Sequence, residues 1–493
     1  MVMVCYGLPA QSHAVDEVNL WTLRPYAMRI VVVAETRSVA SEQITAAIAH
    51  HLQDRVAAVV GPLWQLSVVQ PMGVDRTLVQ RVLATHDIHQ LAPTSTSTDE
   101  QASPASSDTK SSEQQVELPF EPAIGGGQDK LMLLSVREGP LGFIVEGVEY
   151  DLYLRRLGPP LRRELATSQG VLESVFQMAC DLFSPVAIFT INRENRDLAT
   201  LSFRGVELPA PESAPQWFAP GDVFLPMLRR TDRDGVSPVD GVQTAPWTLL
   251  QVTDVAKSVT AQVVSHARRP FSARRRGRVE QLAIHLPVTN DSTRLYLHAR
   301  SDPKRPLVGY HVFARDTADG ELVEIGASNE QGVLDIPRTD AMVRTLFVKS
   351  GRKLVAKLPM APGAELQLAA PLVDESKRLE AEAKLSLLRE ELIDLVARRN
   401  ILITRAKAAL KAGEYEKADG FVTELEGLPG LSIFNQRLTE QEQVSRARDT
   451  NVQARIDRLF EDTRAVLGRF LGSREIVELR RKLDATVRAA RNL

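Results

Sequence analysis

Cysteine is almost missing from this chain. Of 493 residues only Cys5 and Cys180 carry a thiol, which excludes a disulfide framework and a cysteine-built zinc cage. Net charge is also missing. Sixty basic residues stand against 62 acidic ones, for a balance of −2, so the chain as a whole has no electrostatic reason to seek nucleic acid or an acidic membrane. No apolar run reaches the roughly 18 residues that an internal membrane-spanning helix requires. The sequence contains no G-x-x-x-x-G-K-[ST] loop, no G-x-G-x-x-G after a strand, no H-E-x-x-H and no G-x-S-x-G. No catalytic motif is recognised and no cofactor or metal is expected.

What is present is an ordinary globular composition, 44% apolar and 25% charged, long enough for about three or four domains. The expected fold class is multidomain α+β. Residues 20–91 read as a small α/β unit. RIVVVAE (29–35) is a buried strand, and Ile44, Ile48, Leu52, Val56 and Val59 keep helical spacing up to a stop at Gly61. WQLSVVQ (64–70) returns as a strand. Residues 92–127 are rich in Ser, Thr and Pro and nearly free of apolar side chains, the composition of a disordered linker. Residues 128–218 form a second α/β unit. It has a hairpin at Gly139-Pro140, a helix with Cys180 on its buried face, and a further strand pair. It either shares a sheet with 20–91 or stands apart. Residues 219–300 read as a small β-barrel or meander, with a turn at Asp234-Gly235.

The first 19 residues are a signal or a disordered terminus. MVMVCYGLPAQSHA places Ser12 and Ala14 at the spacing of a signal-peptide cleavage site but lacks a basic leader. A signal whose start lies upstream of Met1 makes the protein periplasmic, secreted or envelope-bound; a plain terminus leaves it cytoplasmic.

Residues 301–370 show short strands between turn signals at Ala318-Asp319-Gly320, Glu330-Gln331-Gly332 and Ser350-Gly351, as in an antiparallel sandwich. Pro306, Gly309, Val312, Gly326, Gly332 and Ile336, in "PLVGYHVFA … IGASNEQGVLDIP", follow the pattern of the collagen-adhesin B-type and carboxypeptidase-regulatory-like sandwich over about 60 residues. Ser328-Asn329 stand where that family has Thr-Asp. The resemblance implies a spacing module, often on exported proteins. Some of its relatives form a Lys–Asn amide cross-link beside an acid, for which Lys304, Asn329 and Glu324 supply the residue types.

Residues 372–493 read as helical. Leu385, Leu388, Leu392, Leu395, Leu402 and Ala406 make a stripe interrupted at Arg399, a face for coiled-coil-like self-association or for a protein partner. Ala408, Gly413, Tyr415 and Ala418 resemble the turn of a tetratricopeptide hairpin, present as one unit. Two further helices are expected, over 440–471 and 473–491. The chain as a whole is similar to an uncharacterised family of multidomain planctomycete proteins, in "RPYAMRIVVVAE", "VEYDLYLRRLGPPLRRE", "GDVFLPMLRRTDRDG" and "LIDLVARRNILITRAKAALKAG". That similarity implies a domain order and export, and no chemistry.

Two groups of residues remain as interaction or catalytic candidates. HARRPFSARRRGR (266–278) concentrates Arg268, Arg269, Arg274, Arg275, Arg276 and Arg278, a surface for an anionic polymer or a solvated loop. Glu35, Glu149 and Asp151 lie at strand ends of the α/β region, where an enzyme of unrecognised type would place its acids. Histidine spacing gives no metal set, since His50 and His51 diverge on one helix and His86 and His89 want further ligands. The expected function is a non-catalytic, envelope-associated scaffold or interaction protein. An unrecognised enzyme and a nucleic-acid-binding regulator are the alternatives.

Overall fold

The computed structural model describes residues 20–35, 41–70, 74–87, 127–232, 237–238, 240–256, 258–267, 270–271, 278–317 and 319–491. The N-terminal signal or terminus, nearly all of the Ser/Thr/Pro-rich stretch, the Asp234-Gly235 turn and Arg268, Arg269, Arg274, Arg275 and Arg276 lie outside the described residues.

The first body is a three-layer α/β unit. Its elements are β1 (Tyr26–Glu35), α1 (Ser41–Arg55), β2 (Trp64–Val69), α2 (Val74–Thr85), β3 (Lys130–Gly139), β4 (Gly142–Asp151), β5 (Arg156–Leu157), β6 (Leu161–Leu165) and α3 (Val171–Leu182). The sheet runs β2-β1-β3-β4-β5, with β6 also on β4. β1 pairs in parallel with both β2 and β3, so residues 20–91 share one sheet with the segment that follows the linker. As the innermost parallel strand, β1 is buried on both faces, which is why its sequence is a continuous run of β-branched residues. Met28, Ile30 and Val32 face Ile48 and Leu52 of α1 and Val175 and Phe176 of α3. Val31 and Val33 face Leu78, Val79 and Val82 of α2. Past α1 the chain makes one π-helical turn, Val56–Val60, and stops at Gly61 with φ +69°. A Cβ there would also lie 2.8 Å from Pro211 Cδ, so position and conformation both call for glycine.

The second body is a barrel. It contains β7 (Val186–Ile191), β8 (Leu198–Phe203), β9 (Val223–Thr231), β10 (Val242–Thr244), β11 (Thr248–Asp254), β12 (Val259–Ser265) and β13 (Arg278–His285). The order β9-β11-β12-β8-β7-β13 is closed by pairing of β13 back onto β9, and the short β10 pairs with Met227, Leu228 and Arg229 of β9. The expected barrel over 219–300 therefore borrows its first two strands from the preceding segment. Without β7 and β8 the sheet would have two open edges. Phe189, Phe203, Phe224 and Leu250 fill its interior.

The third body is a sandwich of β14 (Ser292–Ala299), β15 (Asp302–Pro306), β16 (His311–Arg315), β17 (Val323–Ala327), β18 (Val333–Pro337), β19 (Arg344–Ser350), β20 (Lys353–Met360) and β21 (Gln367–Leu372). β14 pairs with β15, β18 and β21, and the other sheet is β17-β16-β19-β20. Leu295 and Leu297 of one sheet pack on Val312, Leu346 and Val348 of the other. The GASNEQG stretch carries the chain from one sheet to the other. Buried Ser328 holds that crossing by accepting from Tyr310 N at 3.0 Å and donating to Leu307 O at 2.6 Å. Lys304, Asn329 and Glu324 do not assemble for an amide cross-link. All three are exposed, Glu324 bonds His311 at 2.8 Å, and Asn329 Oδ1 accepts from Gln331 N and Val333 N.

The last body is a helical bundle of α4 (Ser376–Lys411), α5 (Tyr415–Glu426), α6 (Leu431–Val444), α7 (Thr450–Phe470) and α8 (Arg474–Arg491). Three helices follow the α4–α5 hairpin where the sequence pattern suggested two. The extra break falls at 445–449, where Asp449 caps α7 by accepting from Asn451 N and Val452 N. The two halves of the 36-residue α4 serve different neighbours. Leu385, Leu388 and Leu392 pack on Phe434 of α6 and Phe460 of α7. Leu402, Ile403 and Ala406 pack on Val422 of α5 and Leu479 of α8. Arg399, the break in the stripe, lies between the two clusters. Its guanidinium donates to Leu471 O and Gly472 O, the open carbonyls at the end of α7. Among the described residues no helix is long and apolar enough to cross a membrane.

Candidate functional site

The densest chemistry in the protein is a charge cluster inside the α/β unit. Alternation along β4 puts Glu149 and Asp151 on one face, and the antiparallel register sets Lys130 of β3 directly opposite Asp151. The Lys130 ammonium lies 2.7 Å from Glu149 Oε1 and 2.8 Å from Asp151 Oδ2. Relative exposure is 0% for Lys130 and 2% for each acid. The rings of Phe183 and Tyr26 cover the ammonium, at 5.3 and 5.7 Å to their centroids.

Each remaining acceptor is filled by backbone from a neighbouring element. Glu149 accepts from Ser184 N, just past the end of α3, at 3.2 Å, and Asp151 accepts from Leu154 N at 2.7 Å. Tyr26 OH accepts from Val186 N at 2.8 Å, the first residue of the barrel. A second pair lies alongside. Arg204, at the end of β8, donates to Asp129 Oδ2 at 2.5 Å and to Pro25 O at 2.6 Å. Asp129 also accepts from Ala27 N at 2.8 Å. The cluster thus ties α3, the sheet and the first two barrel strands together at one point.

Its electrostatics follow from one base shared between two acids. Burial pushes the Glu149 carboxyl up to about 7, against the pull of Lys130. Burial also works against the Lys130 ammonium, but Asp151 and then Glu149 outweigh it and hold that group above its ordinary value. Burial drives the Tyr26 phenol upward as well. Glu149 is the member of the cluster that burial pushes toward holding a proton near neutrality.

Such a carboxyl becomes a catalytic acid only if a substrate reaches it. A cavity of about 340 Å³ lies next to the cluster, lined by Tyr26, Phe183, Phe203, Arg204, Trp217 and Phe218 among others. Lys130, Glu149 and Asp151 do not line it. Glu35, the third carboxylate singled out from sequence, sits at the far end of β1 opposite Arg137 and joins no cluster with the other two.

The other sequence candidates are placed as follows. Leu385, Leu388 and Leu392 are buried and Leu395 half-buried inside the bundle, so α6 and α7 of the same chain occupy the face expected for self-association. The apolar side chains that α4 leaves in solvent are Leu387, Ile393 and Ile401. Arg278 is exposed at the start of β13. His51 bonds Glu173 and His50 bonds Asp54, and His89 lies outside the described residues. Among the described residues no group of three His, Cys, Asp or Glu could hold a metal. Sequence reasoning missed Lys130, Tyr26, Asp129 and Arg204. The readable signal was a lysine followed by the apolar run Leu131–Leu134, paired with two acids at i, i+2 in the next strand.

No protein-family model matches the chain, and no curated protein does. Among solved structures it is similar to TolB from Acinetobacter baumannii, with 10% identity, 69% of this chain and 84% of that one covered, and a TM-score of 0.16. It is also similar to BcpA, the major pilin subunit of Bacillus cereus (10%, 50% and 71% covered, TM-score 0.13). A third is the Bacillus anthracis TIE protein (10%, 46% and 41% covered, TM-score 0.14). At these scores the likeness assigns neither fold nor function.

Proposed function

We propose that the protein is a non-catalytic scaffold, exported and associated with the cell envelope, whose α/β, barrel and sandwich bodies carry a helical interaction end. One observation supports this above the others. The residue types best suited to catalysis, Lys130, Glu149 and Asp151, are bonded to one another and to the backbone N–H groups of Ser184 and Leu154, and they line none of the cavities beside them, at the barrel end or at the module junctions. The partner is a protein, or a second copy, met by the outer surface of the bundle. That contact uses the solvent side of α4, since the leucine stripe is covered internally. The export half of the reading rests on Ser12 and Ala14 in the sequence.

The test has two arms. N-terminal sequencing of native protein from fractionated cells is expected to find a start near Val15 outside the cytoplasm; an intact Met1 in the cytosol removes the export half. A photo-crosslinking residue at Ile393 or Ile401 is expected to trap one recurring protein, whereas the same residue at Leu141, on the β3–β4 hairpin, traps none. Absence of that crosslink, or a turnover activity abolished by Glu149→Gln, overturns the scaffold reading.

A further inference from the structure

Where the sandwich meets the bundle there is a cleft of about 650 Å³, inside the range of about 300–1,000 Å³ typical of small-molecule sites. Its walls come from both bodies. Arg300 follows β14, and Arg305 belongs to β15. Lys377 is in the first turn of α4. Arg446 and Arg448 lie in the α6–α7 connection. Three acids share the lining and all are engaged. Asp374 is paired with Arg305 at 2.8 Å. Asp449 caps α7, and Asp302 accepts from Lys304 N at 3.0 Å. Lys377 is held by Glu380 at 2.9 Å. Among the described residues no acidic side chain pairs with Arg300, Arg446 or Arg448. Three guanidiniums from two bodies therefore border one cleft with no acidic side chain paired to them, and basic side chains outnumber acidic ones in its lining.

Exposed, unpaired guanidiniums gathered on one cleft favour an anion with several oxygens. A guanidinium presents a planar fork of N–H donors that matches a phosphoryl group bidentately. Arginines on two bodies can be joined by a ligand with more than one such group. We propose that this cleft binds a small polyphosphorylated solute, whose phosphoryl oxygens bridge Arg300 of the sandwich to Arg446 and Arg448 of the bundle. Binding there would brace the junction between the spacer and the helical end.

Isothermal titration calorimetry of the full chain with inorganic tripolyphosphate tests this at about 0.15 M salt, where nonspecific attraction is screened. Saturable binding at one site is expected. Arg300→Ala and the double variant Arg446→Ala/Arg448→Ala should each weaken it by at least about tenfold, the value of one charge-assisted contact. Arg193→Ala, in the exposed β7–β8 turn, should leave it unchanged, and far-UV circular dichroism confirms that each variant folds. No saturable heat, or equal weakening by Arg193→Ala, overturns the proposal. Displacement of tripolyphosphate by a 20-nucleotide RNA at lower concentration than by pyrophosphate overturns it too, in favour of a polymer. These results are independent of any crosslink at Ile393.

Discussion

The Lys130 ammonium and the Glu149 carboxyl meet at 2.7 Å across two neighbouring strands, with neither side chain open to water. Such a pair is a weak source of net stability, because desolvation offsets most of the attraction, yet it is costly to break from one side. Here it fixes relative position. Glu149 holds the chain leaving α3, Asp151 holds the chain leaving β4, and Tyr26 holds the first residue of β7.

Replacing Lys130 by Met leaves two buried carboxylates without a base. A loss of about 3–5 kcal/mol is expected, read as a lower urea midpoint of the cooperative unit containing the α/β sheet and the barrel. Glu149→Gln keeps an acceptor for Ser184 N and Lys130 while removing the surplus charge, so at pH 8 it should be neutral or stabilising. Equal losses from the two variants would show that the cluster acts through packing alone.

The raised Glu149 pKa sets a pH dependence. In the unfolded chain the carboxyl titrates near its ordinary 4.5, and in the fold near 7. Between those values the folded state binds the extra proton, so its stability falls as pH rises through the window and flattens above it. Glu149 alone accounts for on the order of 3 kcal/mol over that span. Urea melts of wild type and Glu149→Gln at pH 5, 6, 7 and 8 should diverge steadily, with the Gln variant gaining. Parallel curves would place the proton elsewhere.

The same cluster shows what sequence pattern can and cannot reach. Periodicity located β1, α1 and the α4–α5 hairpin, because each buries a regular face. The expected α+β class and the barrel and sandwich bodies are present. What escaped was long-range pairing. β1 lies beside β3 only after some 95 residues of intervening chain, and β7 enters the barrel although it follows an α/β helix. Glu149 and Asp151 were visible as strand-end acids. Lys130 was not, since a lysine at the start of a strand reads as a solvated end until the partner strand is known. Arg399, a gap in a leucine stripe, was an orphan until α7 supplied carbonyls to cap.

Glu375 makes the joint between sandwich and bundle. Its carboxylate is buried and bonds Arg378 of α4 and Arg455 of α7, while its backbone N–H donates to Tyr310 OH of the sandwich at 2.9 Å. Arg378 also reaches Ser350 O at 3.1 Å. Glu375→Ala should leave both bodies folded, because each has its own core, but should uncouple them. Calorimetry is expected to split one transition into two, and limited proteolysis to cut near 372–376. A single transition at lower temperature would mean that the two bodies fold as one unit.

The two sides of α4 make opposite predictions. Leu388 and Leu392 are 6% and 5% exposed and contact α6 and α7. Truncating either to Ala opens a cavity and should cost about 2–5 kcal/mol, lowering the melting temperature of the bundle. Leu387 and Ile393 are 63% and 67% exposed, so Leu387→Ser and Ile393→Ser should shift stability by no more than about 0.5 kcal/mol. Sedimentation separates stability from association. If a second copy docks on the solvent side of α4, the serine variants lower the oligomer mass with the melting temperature unchanged. If instead Leu388→Ala dissociates an oligomer while the bundle stays folded, the leucine stripe is shared between chains and the packing of α4 on α6 and α7 of its own chain is not its resting state.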